Sequence, residues 1–416
     1  MRFSAVFVGD AARLTLATIV ANLVIVAALP LLSRLYRPLD FGNYGTVAAV
    51  AAAAAGAAAA RFDLAMLSAT SRRAVDRCFA AAVVFLPLSA LVVALLGALV
   101  VPAAGGGMTA GLAALAAAAI VTCAGLMQVL RCWRLARSDV RSAMGGTVAN
   151  STVRTAAQLA LALPASGAAG LVVGECVGRI AGAIYMIRGR ARRLRRALQL
   201  VKRLPSTLRA NRNHIVYGVP SSIVDSLGYV VLVPVVAHAF GVAVAGLVAM
   251  AVRLLSLPSQ MISGNVGDTL QRELALRAVR ATGNCASLLR TSLWRLLGLG
   301  AVLVGPIALL APWYVVPLLG DAWRDMIPVM PWLGMQWALG FAIAPLSRVL
   351  LVGDGQRQKL LYDLVAATLP AGLLLWAADR GLVDAIAAYS AGHIVAYALY
   401  WVLILRCAQR LDCAKA

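Results

Sequence analysis

LTLATIVANLVIVAALPLL, residues 14–32, carries no charge along its whole length. As a helix rising about 1.5 Å per residue it would span about 28 Å, close to the thickness of a bilayer's hydrocarbon core. It runs into RLYRPLDFG, from Arg34 to Gly42, without a small-residue cleavage site. We therefore expect a retained helix, not a removable signal, and the whole chain as mature protein.

Comparable apolar stretches recur almost to the end, and the remaining windows predict helices near 42–60, 78–101, 111–130, 147–164, 170–187, 215–240, 242–262, 288–312, 327–352, 360–377 and 383–405. A chain of 416 residues that is 62% hydrophobic and 13% charged cannot divide its side chains between a buried core and a wetted surface. It needs lipid as its solvent. The nearly all-alanine run from Ala51 to Ala60 is weakly apolar per residue, which predicts a helix packed inside the bundle or lining a cavity.

The formal net charge of +22 would suggest nucleic acid in a soluble protein. In a membrane protein, basic loops fix orientation against an anionic leaflet, and we expect anionic membrane lipids and no nucleic acid as partners. With the N-terminus inside, 29 of the 38 basic residues fall in cytoplasmic connections, 4 in external ones and 5 within helices. A miscount by one helix would scramble that alternation, so both termini are expected in the cytoplasm of a bacterial inner-membrane protein. The seven cysteines all fall within helices or on the cytoplasmic side, so none is placed for an external disulfide. With His214, His238 and His393 far apart and no CxxC at ligand spacing, neither a metal centre nor a cofactor is expected.

The longest connection, the basic run from Arg188 to His214, separates six helices from six. This predicts a six-helix bundle over 1–187, a connection over 188–214 holding an amphipathic helix on the headgroups, and a second bundle over 215–416. Phe41-Gly42 and Phe240-Gly241 each precede a Gly-x-Val-Ala-like stretch in an inward-running helix. The expected fold is thus all-α and polytopic, with about twelve transmembrane helices in two bundles related by a pseudo-twofold axis along the membrane normal.

Arg34, Pro38, Asp40, Phe41 and Gly42, followed by Arg61, Phe62, Asp63, Leu64 and Ala65, resemble the polysaccharide transporter family of lipid-linked oligosaccharide flippases. That family belongs to the multidrug, oligosaccharidyl-lipid and polysaccharide exporter superfamily. MQVLRCWRLARSDVRSAMGG from Met127 and YGVPSSIVDSLGYVVLVPVVAHAFG from Tyr217 extend the likeness, as does the stretch from Leu319 to Leu360. The resemblance implies two halves around a central cavity that carries undecaprenyl-pyrophosphate-linked glycan between leaflets for O-antigen, capsule or exopolysaccharide, without covalent chemistry. It also implies glycan polymerase and other assembly proteins as partners. Arg61 and Asp63 carry over as a motif; the alanine-rich second helix and the scarcity of lysine depart from the family's pattern.

Charges within the expected helices give a local hypothesis, because an ionised group in a bilayer persists facing a cavity or a partner. Arg348, Asp363 and Arg295 lie near the cytoplasmic boundary and are expected to snorkel. Arg154, Arg179, Arg253 and Asp225 fall about 11–15 Å in, with Glu175 about a turn further out. Arg154, Arg179 and Arg253, with Arg61, are the candidate substrate-binding residues, their excess positive charge suited to a pyrophosphate. Glu175 and Asp225 are the candidates for ion coupling. The competing expectation is structural: Glu175 neutralises Arg179 at i,i+4, and Asp225 pairs with Arg253, leaving Arg154 alone. His393 is expected as a satisfied interior histidine, with a proton-linked role as the alternative.

Two other functions compete. A multidrug or cation exporter of the same superfamily would call for acidic residues in the membrane core, where arginine predominates here. A scaffold for glycan assembly enzymes would need no transport site. A glycan polymerase or glycosyltransferase would need a large external loop, and the external connections reach only about fifteen residues.

Overall fold

The computed structural model describes residues 2–69, 71–103, 105, 108–163, 166–216, 219–220, 222–224, 226, 231–280, 285–347, 349–352 and 356–413. All regular structure among them is helical. Eight segments are long and apolar enough to cross a membrane: Leu16–Leu35, Arg72–Ala103, Ala110–Leu135, Gly167–Ile187, Val242–Ser259, Cys285–Leu309, Asp321–Leu346 and Leu382–Asp412. The chain is an all-α polytopic membrane protein. Further helices lie at Pro38–Ala55, Val140–Ala162 and Gln356–Trp376; of the expected helix 215–240, part is outside the described residues and Leu232–Phe240 is helical.

The chain divides into two compact units, Met1–Gly246 and Leu247–Ala416. In the first, α1 (Arg2–Leu35) leads through a short turn to α2 (Pro38–Ala55). RPLDFG explains that start: Pro38 sits in the first turn, where its missing N–H is no loss, and the Asp40 carboxylate accepts from the Arg37 N–H at 3.0 Å. α2 stops short of the expected end at residue 60. Residues 56–61 are turns in which Ala60 and Arg61 both adopt positive φ, 47° and 61°, before the short α3 (Phe62–Ser68) begins. Alanine alone would have continued the helix, so the tertiary surroundings impose this break. Ala58, Ala59 and Ala60 are buried beside it.

α4 (Arg72–Ala103), α5 (Ala110–Leu135), α6 (Val140–Ala162) and α7 (Gly167–Ile187) complete this bundle. One core cluster joins Phe62, Phe79, Trp133 and Met186; another joins Val47, Leu86, Ile120 and Val121. The basic connection folds as α8 (Ala191–Leu198), a 3-10 turn, α9 (Leu204–Ala210) and α10 (Arg212–Val216). Ala197 is buried in the core of the first unit and Leu194, Leu198, Leu204 and Leu208 are partly buried against it, while Arg192, Arg193, Arg195 and Arg196 are exposed, so the connection is amphipathic and its apolar side packs on protein.

After α11 (Leu232–Phe240), α12 (Val242–Arg280) runs well beyond the expected end at 262. Apolar length fails there, but LQRELALRAVR is rich in strong helix formers, so the helix continues past its apolar stretch. The second unit contains the rest of α12, α13 (Cys285–Leu309), α14 (Met330–Leu346), α15 (Gln356–Trp376) and α16 (Leu382–Cys413). Its core gathers Leu289, Leu296, Phe341, Tyr362, Tyr400 and Ile404, with Tyr362 and Tyr400 stacked at 3.5 Å. Asp412 caps α13, accepting from the Cys285 and Ala286 amides at 2.9 and 3.1 Å.

Candidate functional site

α7 carries glycine every fourth residue, at Gly170, Gly174, Gly178 and Gly182. A methyl group on Gly178 would fall 2.4 Å from Arg154 Cβ, and one on Gly174 would fall 2.4 Å from Gln158 Cγ. Without those methyls α6 and α7 pack backbone to backbone, as small-xxx-small helices do in membranes. Arg154 is thereby brought beside Glu175.

Glu175 is the hub of the site. Its Oε2 lies 2.7 Å from Arg154 Nε, its Oε1 pairs with Arg179 one turn along the same helix, and Tyr44 of α2 donates its hydroxyl hydrogen to Oε2 at 3.0 Å. Arg154 also donates to the Tyr44 oxygen at 3.4 Å, and Arg179 to the Ile120 carbonyl at 3.4 Å. Glu175 is only 2% exposed. Two guanidiniums and a hydroxyl take the place of the water that so buried a carboxyl group has lost.

Glu175, Arg154 and Arg179 line a cavity of about 420 Å³ within the first unit. Its walls also include Gly56 and Arg61 from the break after α2, Asp63 from the first turn of α3, Gln128 and Arg131 from α5, and Asn150 from α6. The left-handed turn at Arg61 sets its guanidinium within 3.4 Å of the Gly56 carbonyl, so the helix break is part of the wall. Four arginines, Arg61, Arg131, Arg154 and Arg179, face two acids, Asp63 and Glu175. Arg61 Nε, Arg131 Nε, Asp63 Oδ1 and Asn150 Oδ1 are buried without a hydrogen-bond partner among the described residues. Buried polar atoms of that kind are normally satisfied by water or a ligand.

Of the candidates read from sequence, the cavity brings together Arg61, Arg154, Arg179 and Glu175. The i,i+4 pairing of Glu175 with Arg179 is present, but Arg154 is not left alone: it shares the same carboxylate. Arg253 is half-buried in α12 within the second unit, and the cavity's lining residues all belong to the first. Asp225 and Arg348 lie outside the described residues. Asp363 pairs with Lys359 at 2.7 Å, and Arg295 is exposed. His393, 2% exposed, sits between Tyr389 and Tyr397, with neither ring nitrogen hydrogen-bonded among the described residues, so it is enclosed without the expected partner. Tyr44, Gln128, Arg131 and Asn150 escaped the sequence reading. The glycine spacing of α7 and the polar stripe Asn150, Arg154 and Gln158 on α6 were the signals that could have found the α6–α7 wall.

Among solved structures, an inward-facing multidrug resistance MATE family transporter of the MOP superfamily aligns at TM-score 0.63 and 15% identity, over 97% of this chain and 96% of that one. The lipid II flippase MurJ, in an inward closed conformation, aligns at TM-score 0.66 and 10% identity, over 97% and 90%. A MOP superfamily transporter from Pyrococcus furiosus, described as having a binding pocket of reverse polarity, aligns at TM-score 0.56 and 13% identity, over 97% and 96%. At these identities the likeness is one of fold. No curated protein matches the sequence. The family described as polysaccharide biosynthesis protein matches residues 31–328, a stretch that holds the whole cavity lining. With the fold of MOP superfamily transporters, the chain belongs to the polysaccharide biosynthesis protein family.

Proposed function

We propose that the protein is a flippase for undecaprenyl-pyrophosphate-linked oligosaccharide, moving it from the cytoplasmic to the periplasmic leaflet by alternating access. The observation that carries this reading is the cavity of the first unit, in which arginines outnumber acids four to two. A substrate headed by two phosphates complements that excess, and guanidinium binds phosphate through paired N–H donors. The orphaned Nε atoms of Arg61 and Arg131 add donors on the same walls.

Glu175 gives the site a way to release what it binds. It competes with the phosphates for Arg154 and Arg179, so the guanidiniums have a partner both before the substrate arrives and after it leaves. Arg253 is proposed as a further substrate-binding cation, and Asp225, like Glu175, keeps its proposed role in ion coupling. The chain is placed in the bacterial inner membrane with both termini and the 188–214 connection cytoplasmic, on the 29 to 4 asymmetry of basic residues. Glycan polymerase and other assembly proteins are the proposed partners. No bond is made or broken in such a step.

An exporter of organic cations is disfavoured by the same count, since its cavity would carry the opposite sign. Deletion of the gene is expected to abolish surface glycan while lipid-linked repeat units accumulate on the cytoplasmic side. Normal surface polymer, in a strain with no second flippase, would remove the assignment.

A further inference from the structure

A second basic pocket lies where α4 begins, α5 and α7 end and α6 begins. It encloses about 120 Å³ and is lined by Arg72, Arg134, Arg137, Asp139, Arg190 and Arg193, with Trp133 beneath. Arg134 is 2% exposed and ties the helix ends together: it donates to Asp139 at 2.7 Å, to the Met186 carbonyl and to the Arg188 carbonyl at 3.5 Å. Arg137 pairs with Asp76 and lies 4.5 Å over the Trp133 ring, whose indole N–H is held by Asp76 at 2.9 Å.

The charges do not balance. Asp139 serves Arg134 and, at 3.5 Å, Arg190; Asp76 serves Arg137. Five guanidiniums thus meet two carboxylates, and Arg72 and Arg193 on the rim add charge with no acid within pairing distance among the described residues. Inside, Arg134 Nε and Arg137 Nε are buried donors without an acceptor among the described residues. A rigid, fully anchored arginine with a donor left over is a built anion site rather than a solvated surface charge.

We infer that this pocket binds the phosphate of an anionic phospholipid headgroup at the helix ends. The volume holds several waters and hence a tetrahedral phosphate group. Anionic headgroups are the anions concentrated at the ends of transmembrane helices, and basic pockets between such helices are where they dock. The site is separate from the cavity around Glu175 and does not depend on what that cavity carries. Bound there, a lipid would fasten α8 to the ends of α5, α6 and α7, through Arg190 and Arg193 on one side and Arg134 and Arg137 on the other.

The test uses the full-length protein in detergent, with native mass spectrometry and thermal shift in the presence of phosphatidylglycerol, phosphatidylcholine or inorganic phosphate. Arg72→Gln/Arg193→Gln changes only exposed rim residues of the pocket. Arg192→Gln/Arg195→Gln removes the same charge from exposed positions on α8 outside it. The expected result is one retained phosphatidylglycerol with a saturable rise in Tm, weakened roughly ten- to thirtyfold in the rim variant and unchanged in the second. Equal binding by wild type and rim variant, equal weakening in both variants, or phosphatidylcholine bound as well as phosphatidylglycerol would each overturn the inference. Stabilisation by inorganic phosphate but not by phosphatidylglycerol would assign a soluble ligand, and the lipid headgroup would fall.

Discussion

Arg154 and Arg179 share one carboxylate, and their substitution separates a binding role from a structural one. Removing a single guanidinium leaves Glu175 with the other guanidinium and the Tyr44 hydroxyl, so Arg154→Gln or Arg179→Gln should keep protein abundance while slowing transport. Glu175→Gln does the opposite: it leaves two half-buried cations without their shared anion, a change that costs about 3–5 kcal/mol for a fully buried pair and less for groups still partly exposed. We expect that variant to be less abundant and to be rescued in part by a second substitution, Arg154→Gln, with immunoblotting of membranes as the readout. Full abundance of Glu175→Gln would show that the arginines do not need it. Asp139 offers a pH test outside the membrane-spanning segments. Burial raises its pKa, but hydrogen bonds from the Ser142 hydroxyl and amide and the charges of Arg134 and Arg190 outweigh that and hold it below the usual carboxylate range. A lowered folded-state pKa contributes stability above the unfolded value of about 4, lost as pH falls through the folded value. Asp139→Asn should therefore lower Tm at neutral pH, and the gap to wild type should close below about pH 4.

The elements show where the sequence was legible and where it was not. Long, predominantly apolar runs such as Leu16–Leu35 and Cys285–Leu309 are readable because length and mean hydropathy decide a span even where an arginine sits in it. α6 carries seven hydroxyl and amide residues, and its partner is invisible in the sequence, because nothing in a hydropathy window says which face meets which helix. The information was in α7, in the four-residue spacing of its glycines. The break at Ala60 and Arg61 was unreadable for a different reason: alanine favours helix, and only packing around those residues forces positive φ. The glycine seam makes its own prediction. Gly178→Leu would push α6 away and carry Arg154 with it, costing about 1–3 kcal/mol by overpacking. Gly298→Leu on α13 meets open space, and by helix propensity should be neutral or stabilising by up to about 1 kcal/mol. Tm measurements that lowered both equally would deny that the α6–α7 approach is special.

For the whole molecule, four of the twelve expected helices are not among the eight segments that pass on length and apolarity. α2 and α6 hold polar or alanine-rich faces toward a cavity, so they fail a lipid-solubility criterion while still belonging to the bundle. In α15 the apolar part, Leu361–Trp376, is shorter, and the expected helix 215–240 lies partly outside the described residues. Topology is testable through reporters fused at positions 108, 168 and 322, all expected in the periplasm; a cytoplasmic signal from any two would overturn the orientation. The central claim concerns movement of a lipid-linked glycan, and proteoliposomes measure it most directly. Vesicles holding undecaprenyl-pyrophosphate-linked oligosaccharide in both leaflets are challenged with a membrane-impermeant glycosidase, and the fraction of glycan cleaved is followed in time. With the wild-type protein cleavage should proceed beyond the outer-leaflet half toward completion, and Arg154→Gln at equal reconstitution should slow that second phase about tenfold, the loss expected when a paired guanidinium–phosphate contact is removed. A second phase no faster than in protein-free vesicles would contradict the account.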